Sequence, residues 1–478
     1  MRRMKMFKVR KLEIILTSLF FSVLMIALIV NIVIYMKRDS AEAINNNYNN
    51  SRQEIIAKQN IRGRILSRDG DVLAGTNIEN GQEVRIYPYR NLFAHVVGYA
   101  VKGKAGIENS ESMNLLLSHE KMSDKIQNQL SSAKNYGDNV ITTLDVDLQK
   151  TAYDALGAYN GAVVVTEVST GKVLAMVSKP DFDPNEIADI WDGIVADENS
   201  SVLLNRATQG LYPPGSTFKI VSALEYYREN GGDVSGYRFN CSGKYSYEGC
   251  TIRCYHGSVH GSEDFKQSFA KSCNASFANV GTTLAIPSWQ KTCKELLFDC
   301  PLDTPISYKQ SHFKLQETDS ANDLMQTSIG QGDTQITPLL LNMITSSVAN
   351  KGKCMVPYVV DRLEDHDGNV VRQNHPAQQC VTMTEDESAF LTELMRSVVE
   401  DGGTGRKLKN DNYTAAGKTG SAEYSSAKDD SHAWFTGFAP VENPQIAVTV
   451  IVESAGSGGE YAVPVAKRIF DTYFGIAQ

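Results

Sequence analysis

From Ile14 to Met36 the chain carries 23 uncharged residues, apolar on every face of a helix. At about 1.5 Å per residue such a run crosses a hydrocarbon core of about 30 Å, so the pattern predicts a transmembrane helix. A buried helix of a soluble domain would keep a polar stripe so close to a basic terminus. No second stretch approaches that length. Residues 37–60, with Asn45, Asn46, Asn47, Asn49 and Asn50, read as a polar stalk. From 61 to 140, short apolar segments alternate with turns such as Arg68-Asp69-Gly70 and Glu79-Asn80-Gly81, which predicts a small, mostly β domain. After 140 the texture changes. Ile141 to Leu144 leads into Asp145 and a helix ending near Tyr159-Asn160-Gly161. A strand from Ala162 to Glu167, a Ser169-Thr170-Gly171 turn and a strand from Val173 to Ser178 form a predicted hairpin. Near the end, Ile446, Val448, Val450 and Val452 interleave with Ala447, Thr449 and Ile451, so both faces are apolar, as in a central strand covered by helices. Helices combined with antiparallel hairpins predict an α+β fold for residues 141–478.

Charge adds orientation. Arg2, Arg3, Lys5, Lys8, Arg10 and Lys11 precede the apolar run and only Lys37 and Arg38 follow it closely. Residues 1–13 are therefore expected on the cytoplasmic side, 14–36 in the cell membrane as a single pass, and the rest outside. Ala41-Glu42-Ala43 resembles a signal-cleavage site. A cleaved signal has an apolar core of only about 7–15 residues, so an uncleaved anchor is expected. The 478 residues allow two or three domains, and 42% hydrophobic with 21% charged residues is globular composition. Acidic residues outnumber basic ones, 55 to 47, giving a net charge of −8. With no basic stripe beyond the first eleven residues, nucleic acid is excluded as a partner. The eight cysteines fall in a compartment that permits disulfides.

Ser-x-x-Lys occurs at Ser118, Ser131, Ser169, Ser216, Ser268, Ser288, Ser311 and Ser425, so the pattern alone says little. Context singles out Ser216. It follows Pro213-Pro214-Gly215 and opens the apolar segment Phe218 to Leu224, which ends near Gly231-Gly232. Prolines before and glycines after are helix start and stop signals, which puts Ser216 in a first helical turn with Lys219 on the same face. Amides at that end favour developing negative charge, and a lysine pressed into an apolar helix loses its proton more readily, making it a base for the hydroxyl. An N-cap serine with a snorkelling lysine would give the same local pattern. Two further segments separate these readings. Ser272-Cys273-Asn274 lies 56 residues on, though Ser-x-Asn also occurs elsewhere, as at Ser320, and Lys418-Thr419-Gly420-Ser421 lies 146 residues beyond Ser272. Lys-Thr-Gly occurs once, in a predicted strand from Tyr413 to Tyr424 whose Gly417 and Gly420 would let a substrate backbone approach. The three patterns together are the signature of β-lactamases and penicillin-binding proteins.

With these residues the sequence resembles a class B penicillin-binding protein, and the resemblance covers nearly everything after the anchor. Arg62–Gly70, "RIYPYRNLFAHVVGY" and "GIENSES" resemble the family's pedestal motifs; "LDVDLQ", "NRATQGLYPPGSTFK", "GQGDTQITPL" and "HAWFTGFAP" resemble its transpeptidase domain. Ser67 stands where the pedestal motif usually has Asp, and Cys273 fills the variable middle of Ser-x-Asn. The resemblance implies a pedestal at 61–140 and, at 141–478, an antiparallel sheet flanked by helices as in serine β-lactamases. It implies that Ser216 attacks the penultimate D-Ala carbonyl of a peptidoglycan stem peptide. The acyl-enzyme is then resolved by a neighbouring stem peptide, and β-lactams acylate the same serine. Lys219 would be the base, Ser272 and Lys418 the proton relay, and Asn274 the group positioning Lys219 and the substrate. Thr419 would hold the terminal carboxylate beside Gly420, and the amides of Ser216 and Ser421 would form the oxyanion hole.

No metal or other cofactor is implied. Cys250, Cys254, His256 and His260 have a zinc-like spacing, but the segment matches a family loop with a Cys pair, here Cys241 and Cys254. A bifunctional class A enzyme is not expected, because the stretch between anchor and 140 cannot hold a glycosyltransferase. A class A β-lactamase would carry Glu-x-x-Leu-Asn, which is absent. With 58 residues after Gly420, no appended domain is expected. The competing class is a non-catalytic β-lactam-binding scaffold or sensor. As a partner, the resemblance implies a polytopic glycan polymerase of the shape, elongation, division and sporulation family.

Overall fold

The computed structural model describes residues 2–38, 47–400, 402–423 and 431–476. The chain divides into two compact units, Met1–Ile61 with Met122–Asn135, and Arg62–Lys121 with Tyr136–Gln478. In the first, helix α1 (Arg2–Arg38) contains the stretch Glu13–Ile32, whose 20 residues have a mean hydropathy of 2.5 and no burial. It is long and apolar enough to cross a membrane. Within the predicted stalk, Asn47–Ala57 is helical, and Lys134 Nζ donates to the Ala57 carbonyl at its C-terminal end at 2.8 Å. Ala41-Glu42-Ala43 lies outside the described residues.

The second unit carries the chemistry. In chain order its main elements are helix α2 (Val146–Leu156), strands β1 (Gly161–Glu167) and β2 (Val173–Lys179), and helices α3 (Lys219–Glu229), α4 (Phe265–Ala270), α5 (Asn274–Gly281) and α6 (Pro338–Ala349). Strands β3 (Ala416–Glu423), β4 (Ser431–Ala439) and β5 (Ile446–Val452) follow, and helix α7 (Gly458–Tyr473) ends the fold. The strands form one antiparallel sheet in the order β3-β4-β5-β1-β2. The predicted alternation on β5 is realised. Ile446, Val448, Val450 and Val452 join the core under α2 and α7, while Ala447 and Ile451 join the core on the opposite face.

On that second face lies α6, all twelve of whose residues are buried. Thr337 caps it through the Leu340 amide, and Pro338 supplies a first residue with no amide to satisfy. Its buried polar groups meet the sheet in pairs: Thr166 Oγ1 donates to Asn342 Oδ1 at 2.6 Å, and Thr345 and Thr436 hydroxyls lie 2.6 Å apart. The fold is thus the predicted α+β arrangement, an antiparallel sheet between helical layers. Among the described residues, β3 lies at the edge and pairs with β4 alone.

A second, six-stranded sheet joins early and late chain, in the order 370–373, 360–364, 139–142, 65–66, 72–79, 82–86. Beside it, Glu108 is buried and held by Arg62 and Arg85, each at 2.6 Å, with Tyr87 Oη donating at 3.2 Å. Ser67 is fully buried; its hydroxyl donates to Asp71 Oδ2 and accepts from the Asp69 and Asp71 amides. A neutral side chain therefore organises the turn where the motif usually carries a charge.

Candidate active site

Ser216 owes its position to a constrained approach. Gly215 has φ +54°, and a Cβ there would meet the Ser421 carbonyl oxygen at 2.8 Å, so the residue must be glycine. Its amide donates to Gly330 O at 2.8 Å, and Trp434 Nε1 donates to Pro213 O at 3.1 Å, fastening the loop to two distant segments. Ser216 then enters a 3₁₀ turn, Gly215–Phe218, which precedes α3. The sequence predicts an α-helix from Ser216; the tighter first turn differs in eclipsing residues three apart, which stacks Ser216 and Lys219. Ser216 is half-buried, and among the described residues its hydroxyl makes no hydrogen bond.

Lys219 is fully buried. Its amine donates to Asn274 Oδ1 at 2.7 Å, Ser272 O at 2.8 Å and Ser272 Oγ at 3.1 Å. Burial lowers its pKa to about 8, against the opposing pull of Cys273, Cys254 and Glu263. Lys418 is equally buried; its amine donates to Ser272 Oγ at 2.9 Å and Thr419 O at 3.0 Å. Burial, and then the positive charge of Lys219, push it well below an ordinary lysine. Phe277 and Phe269 rings face the two amines at 5.4 and 5.5 Å. The neutral form of either amine keeps two N–H donors and gains a lone pair able to take a proton.

Ser272, which receives both amines, sits at the α4–α5 junction with φ +56°. Left-handed backbone at a non-glycine costs about 1–2 kcal/mol and recurs at functional positions. The junction is built from two short helices: Asp264 and Gln267 cap α4 reciprocally, and Cys273 caps α5 by accepting from the Ser276 amide.

The Lys-Thr-Gly segment runs along β3, shorter than the predicted strand, and pairs Lys418 with Thr436 and Ser421 with Ala433. Its glycines are also required by packing within the fold. A Cβ at Gly417 would meet the Phe435 ring at 2.5 Å; one at Gly420 would meet Thr217 Cγ2 and Trp434 Cβ, each at 3.1 Å. They let the strand pack against its own neighbours. Ser216, Ser272, Asn274, Thr419, Gly420 and Ser421 line one cleft of about 1120 Å³, with Lys219 and Lys418 beneath its floor. All eight predicted residues come together. Sequence reasoning missed Thr404, whose hydroxyl lies 2.6 Å from that of Thr419 in the same cleft; its signal was the Gly402-Gly403-Thr404-Gly405 run. It also missed the anchoring role of Trp434 and Gly330, both inside quoted motifs. Two of the zinc-spaced residues stand apart. Cys250 pairs with Tyr247 in a hairpin, and His256 is exposed against Tyr255.

The family described as the penicillin binding protein transpeptidase domain matches residues 161–471, and the penicillin binding protein A dimerisation domain matches residues 62–140. The chain is 30% identical over 434 residues to the peptidoglycan D,D-transpeptidase PbpA of Mycolicibacterium smegmatis, covering 85% of this chain and 87% of that protein. It is 28% identical over 484 residues to the peptidoglycan D,D-transpeptidase MrdA of Acinetobacter baumannii, covering 88% and 70%. Among solved structures, penicillin-binding protein A of M. tuberculosis in a ceftriaxone acyl-enzyme complex superposes with a TM-score of 0.79 at 28% identity, over 87% of this chain and 99% of that one. The D,D-transpeptidase domain of a peptidoglycan glycosyltransferase from Eggerthella lenta gives 0.78 at 28% identity, with the same coverage.

Proposed function

We propose, from the premise that this chain belongs to the penicillin-binding protein transpeptidase family, a residue-by-residue account of its peptidoglycan D,D-transpeptidase activity. It is a serine-type enzyme of cell-wall synthesis that β-lactams acylate. Ser216 Oγ attacks the penultimate D-Ala carbonyl as its proton passes to neutral Lys219. The C–N bond breaks, and terminal D-Ala leaves with a proton delivered through Ser272 from Lys418. The amine of a second stem peptide then attacks the ester and gives its proton through Ser272 to Lys418, while Lys219 returns its proton to Ser216 Oγ as the ester C–O bond breaks. Ser216 and Ser421 amides hold the developing oxyanion, a donor set worth about 10²–10³ in rate per donor. Asn274 fixes Lys219, and Thr419 with Gly420 and Thr404 receives the terminal carboxylate.

The observation that carries this reading is the sharing of Ser272 Oγ by two fully buried lysine amines, 2.9 and 3.1 Å away. A surface serine with a snorkelling lysine would have neither the burial nor the shared acceptor. Labelling with a fluorescent penicillin, followed by mass mapping, is expected to place the adduct on Ser216 and to lose it in Ser216→Ala. A label that persists in that variant overturns the assignment. Acylation by penicillin without cross-linking of stem-peptide substrates would favour the sensor reading.

The anchor proposal places 1–13 in the cytoplasm and the catalytic unit outside, on the excess of cations before the span. Residues 61–140 act as a pedestal for 141–478. By family resemblance, the strands this enzyme cross-links come from another enzyme. By family resemblance that enzyme is a membrane glycan polymerase of the shape, elongation, division and sporulation family. Photo-crosslinkers within 14–36 and 61–75 should capture a polytopic polymerase; capture of none leaves the pedestal a passive spacer.

A further inference from the structure

Two cysteines that line no part of the cleft face each other across a short antiparallel ladder. The strands Lys353–Met355 and Gln378–Val381 pair with Lys353 opposite Val381 and Cys354 opposite Cys380. Hydrogen bonds hold that register from both ends. On one side the Thr382 amide donates to Gly352 O at 2.8 Å, and on the other the Val356 amide donates to Ala377 O at 2.8 Å. Gly352, at φ +84°, lets the ladder close, since a Cβ there would meet Met383 O at 1.9 Å. Residues directly opposite in such a ladder project to one face, with Cα atoms about 4.5–5.5 Å apart. A disulfide takes Cα separations of about 4.4–6.8 Å, so this pair can be bridged with neither strand moving.

The two thiols are unequal. Cys354 is buried, whereas Cys380 is half-buried. Contact with Cys354 holds the Cys380 thiol below its ordinary value, and the same contact, with burial, pushes Cys354 well above it. The reachable sulfur is thus the better nucleophile and the enclosed one its resolving partner. Cys300 also lies close enough to Cys380 to feel its charge. It comes from a loop, however, and its thiol donates to Lys294 O at 3.5 Å, with no ladder to hold it opposite.

We propose that Cys354 and Cys380 form a cross-strand disulfide. The Cys380 thiolate attacks the disulfide of an extracytoplasmic thiol oxidoreductase, giving a mixed disulfide and releasing one oxidant thiolate. Cys354 then gives up its proton and attacks Cys380 Sγ, and the second oxidant thiolate leaves as the new S–S bond closes. Two electrons and two protons pass to the oxidant, which ends as a dithiol. The bonded residues are 26 positions apart. Between them run the strands 360–364 and 370–373, which extend the six-stranded sheet from 139–142. One foot of this arm follows α6 and the other precedes the helix Glu385–Val399, where Ser388 Oγ donates to Val348 O at 2.6 Å. A covalent bond between the feet closes the arm into a loop and restricts the unfolded chain. The pairing rests on backbone geometry and not on the transpeptidase reading; only the oxidant's compartment rests on the outward orientation.

The test uses the full, folded chain in detergent, incubated with oxidised glutathione, then alkylated and digested without reductant. A cross-linked peptide pair carrying Cys354 and Cys380, lighter by two hydrogens than the separate thiol peptides, is expected. It should be absent from Cys380→Ser. Dithiothreitol should lower the melting temperature of the bridged wild type by about 2–8 °C and leave that of Cys380→Ser unchanged, with equal penicillin acylation in both. If the variant does not fold, the wild-type peptide map decides. Recovery of both residues as alkylated thiols after oxidation overturns the proposal, as does a Cys300–Cys380 bridge in its place. A bridge with no effect on melting removes the stapling role and leaves the pairing standing. Cells quenched with acid before alkylation should yield the same peptide pair; free thiols there overturn formation of the bridge in the cell.

Discussion

Replacing Ser272 by alanine and by glycine separates its two burdens, the shared hydroxyl and the left-handed backbone. Either change leaves Lys219 and Lys418 each short of one acceptor, at 3.1 and 2.9 Å in the wild type. Lys219 keeps Asn274 Oδ1 and the Ser272 carbonyl, and Lys418 keeps Thr419 O, so each variant loses two hydrogen bonds of about 0.5–1.5 kcal/mol, about 1–3 kcal/mol of destabilisation in both. Alanine keeps the strain at φ +56°, whereas glycine relieves about 1–2 kcal/mol of it. Glycine gives back about 0.4–1 kcal/mol through the freer unfolded chain. Ser272→Gly should therefore be about 0.5–1 kcal/mol more stable than Ser272→Ala, although both remove the relay. Acylation should fall alike in the two, by about 10²–10⁴, the range for a lost proton-transfer group. Denaturant unfolding of the purified chain and stopped-flow acylation by a fluorescent penicillin read the two effects. Glycine no more stable than alanine would refute the strain argument, and acylation within a few-fold of wild type would refute the relay.

Further expectations follow from the buried lysines and from His95. Lys219→Ala should nearly abolish acylation, while Lys418→Ala should acylate slowly and lose carboxylate recognition; equal rates in wild type and Lys219→Ala would remove the base role. His95, with Nε2 3.2 Å from Pro180 O, has its pKa lowered to about 4 by burial against an ordinary value of 6.5. The unfolded chain therefore binds the extra proton first. Stability tied to His95 is complete above pH 6.5 and is lost as pH falls from 6.5 towards 4, about 2 kcal/mol by pH 5. Unfolding free energies at pH 7.5 and 5 should converge by that amount in His95→Gln, and an unchanged acid loss in the variant would contradict the assignment.

What could be read in advance is what leaves a local imprint. The two-residue alternation of Ile446 to Val452 announces a strand covered on both faces, and Lys-Thr-Gly announces the edge strand that carries Lys418. The pairing of 139–142 with 360–364 leaves no such imprint, because strands of two to five residues are too short for periodicity and their partners are more than two hundred residues apart. The same limit explains the cysteines. Spacing grouped Cys250 and His256 with Cys254 and His260, whereas folding substitutes Cys241, from the far side of a hairpin, and Cys273, already assigned to another motif. Gly417 and Gly420 were recognisable as required glycines, but their packing against the Phe435 ring and the Thr217 and Trp434 side chains is set by the neighbouring strand and the Ser216 turn, which local pattern does not show.

The three catalytic segments are held by unequal means. Ser216 is fastened by Gly330 and Trp434 and by a helix whose first seven residues are buried. Lys418 lies in a strand paired along eight residues with β4. Ser272 has neither advantage: it joins helices of six and eight residues, in a backbone conformation that opposes its own side chain. Yet it must present one hydroxyl to two amines, where an error of an ångström breaks a hydrogen bond. The junction therefore needs a constraint from outside its helices. Asn274 and the Ser272 carbonyl supply one through Lys219, but in the proposed mechanism that amine also exchanges protons and cannot serve as a fixed strut. Cys273, fully buried and capping α5 by accepting from the Ser276 amide, supplies one that chemistry at Ser216 leaves undisturbed. On the proposed mechanism, rigidity and proton transfer thus fall to adjacent residues, with Cys273 held and Ser272 left to exchange.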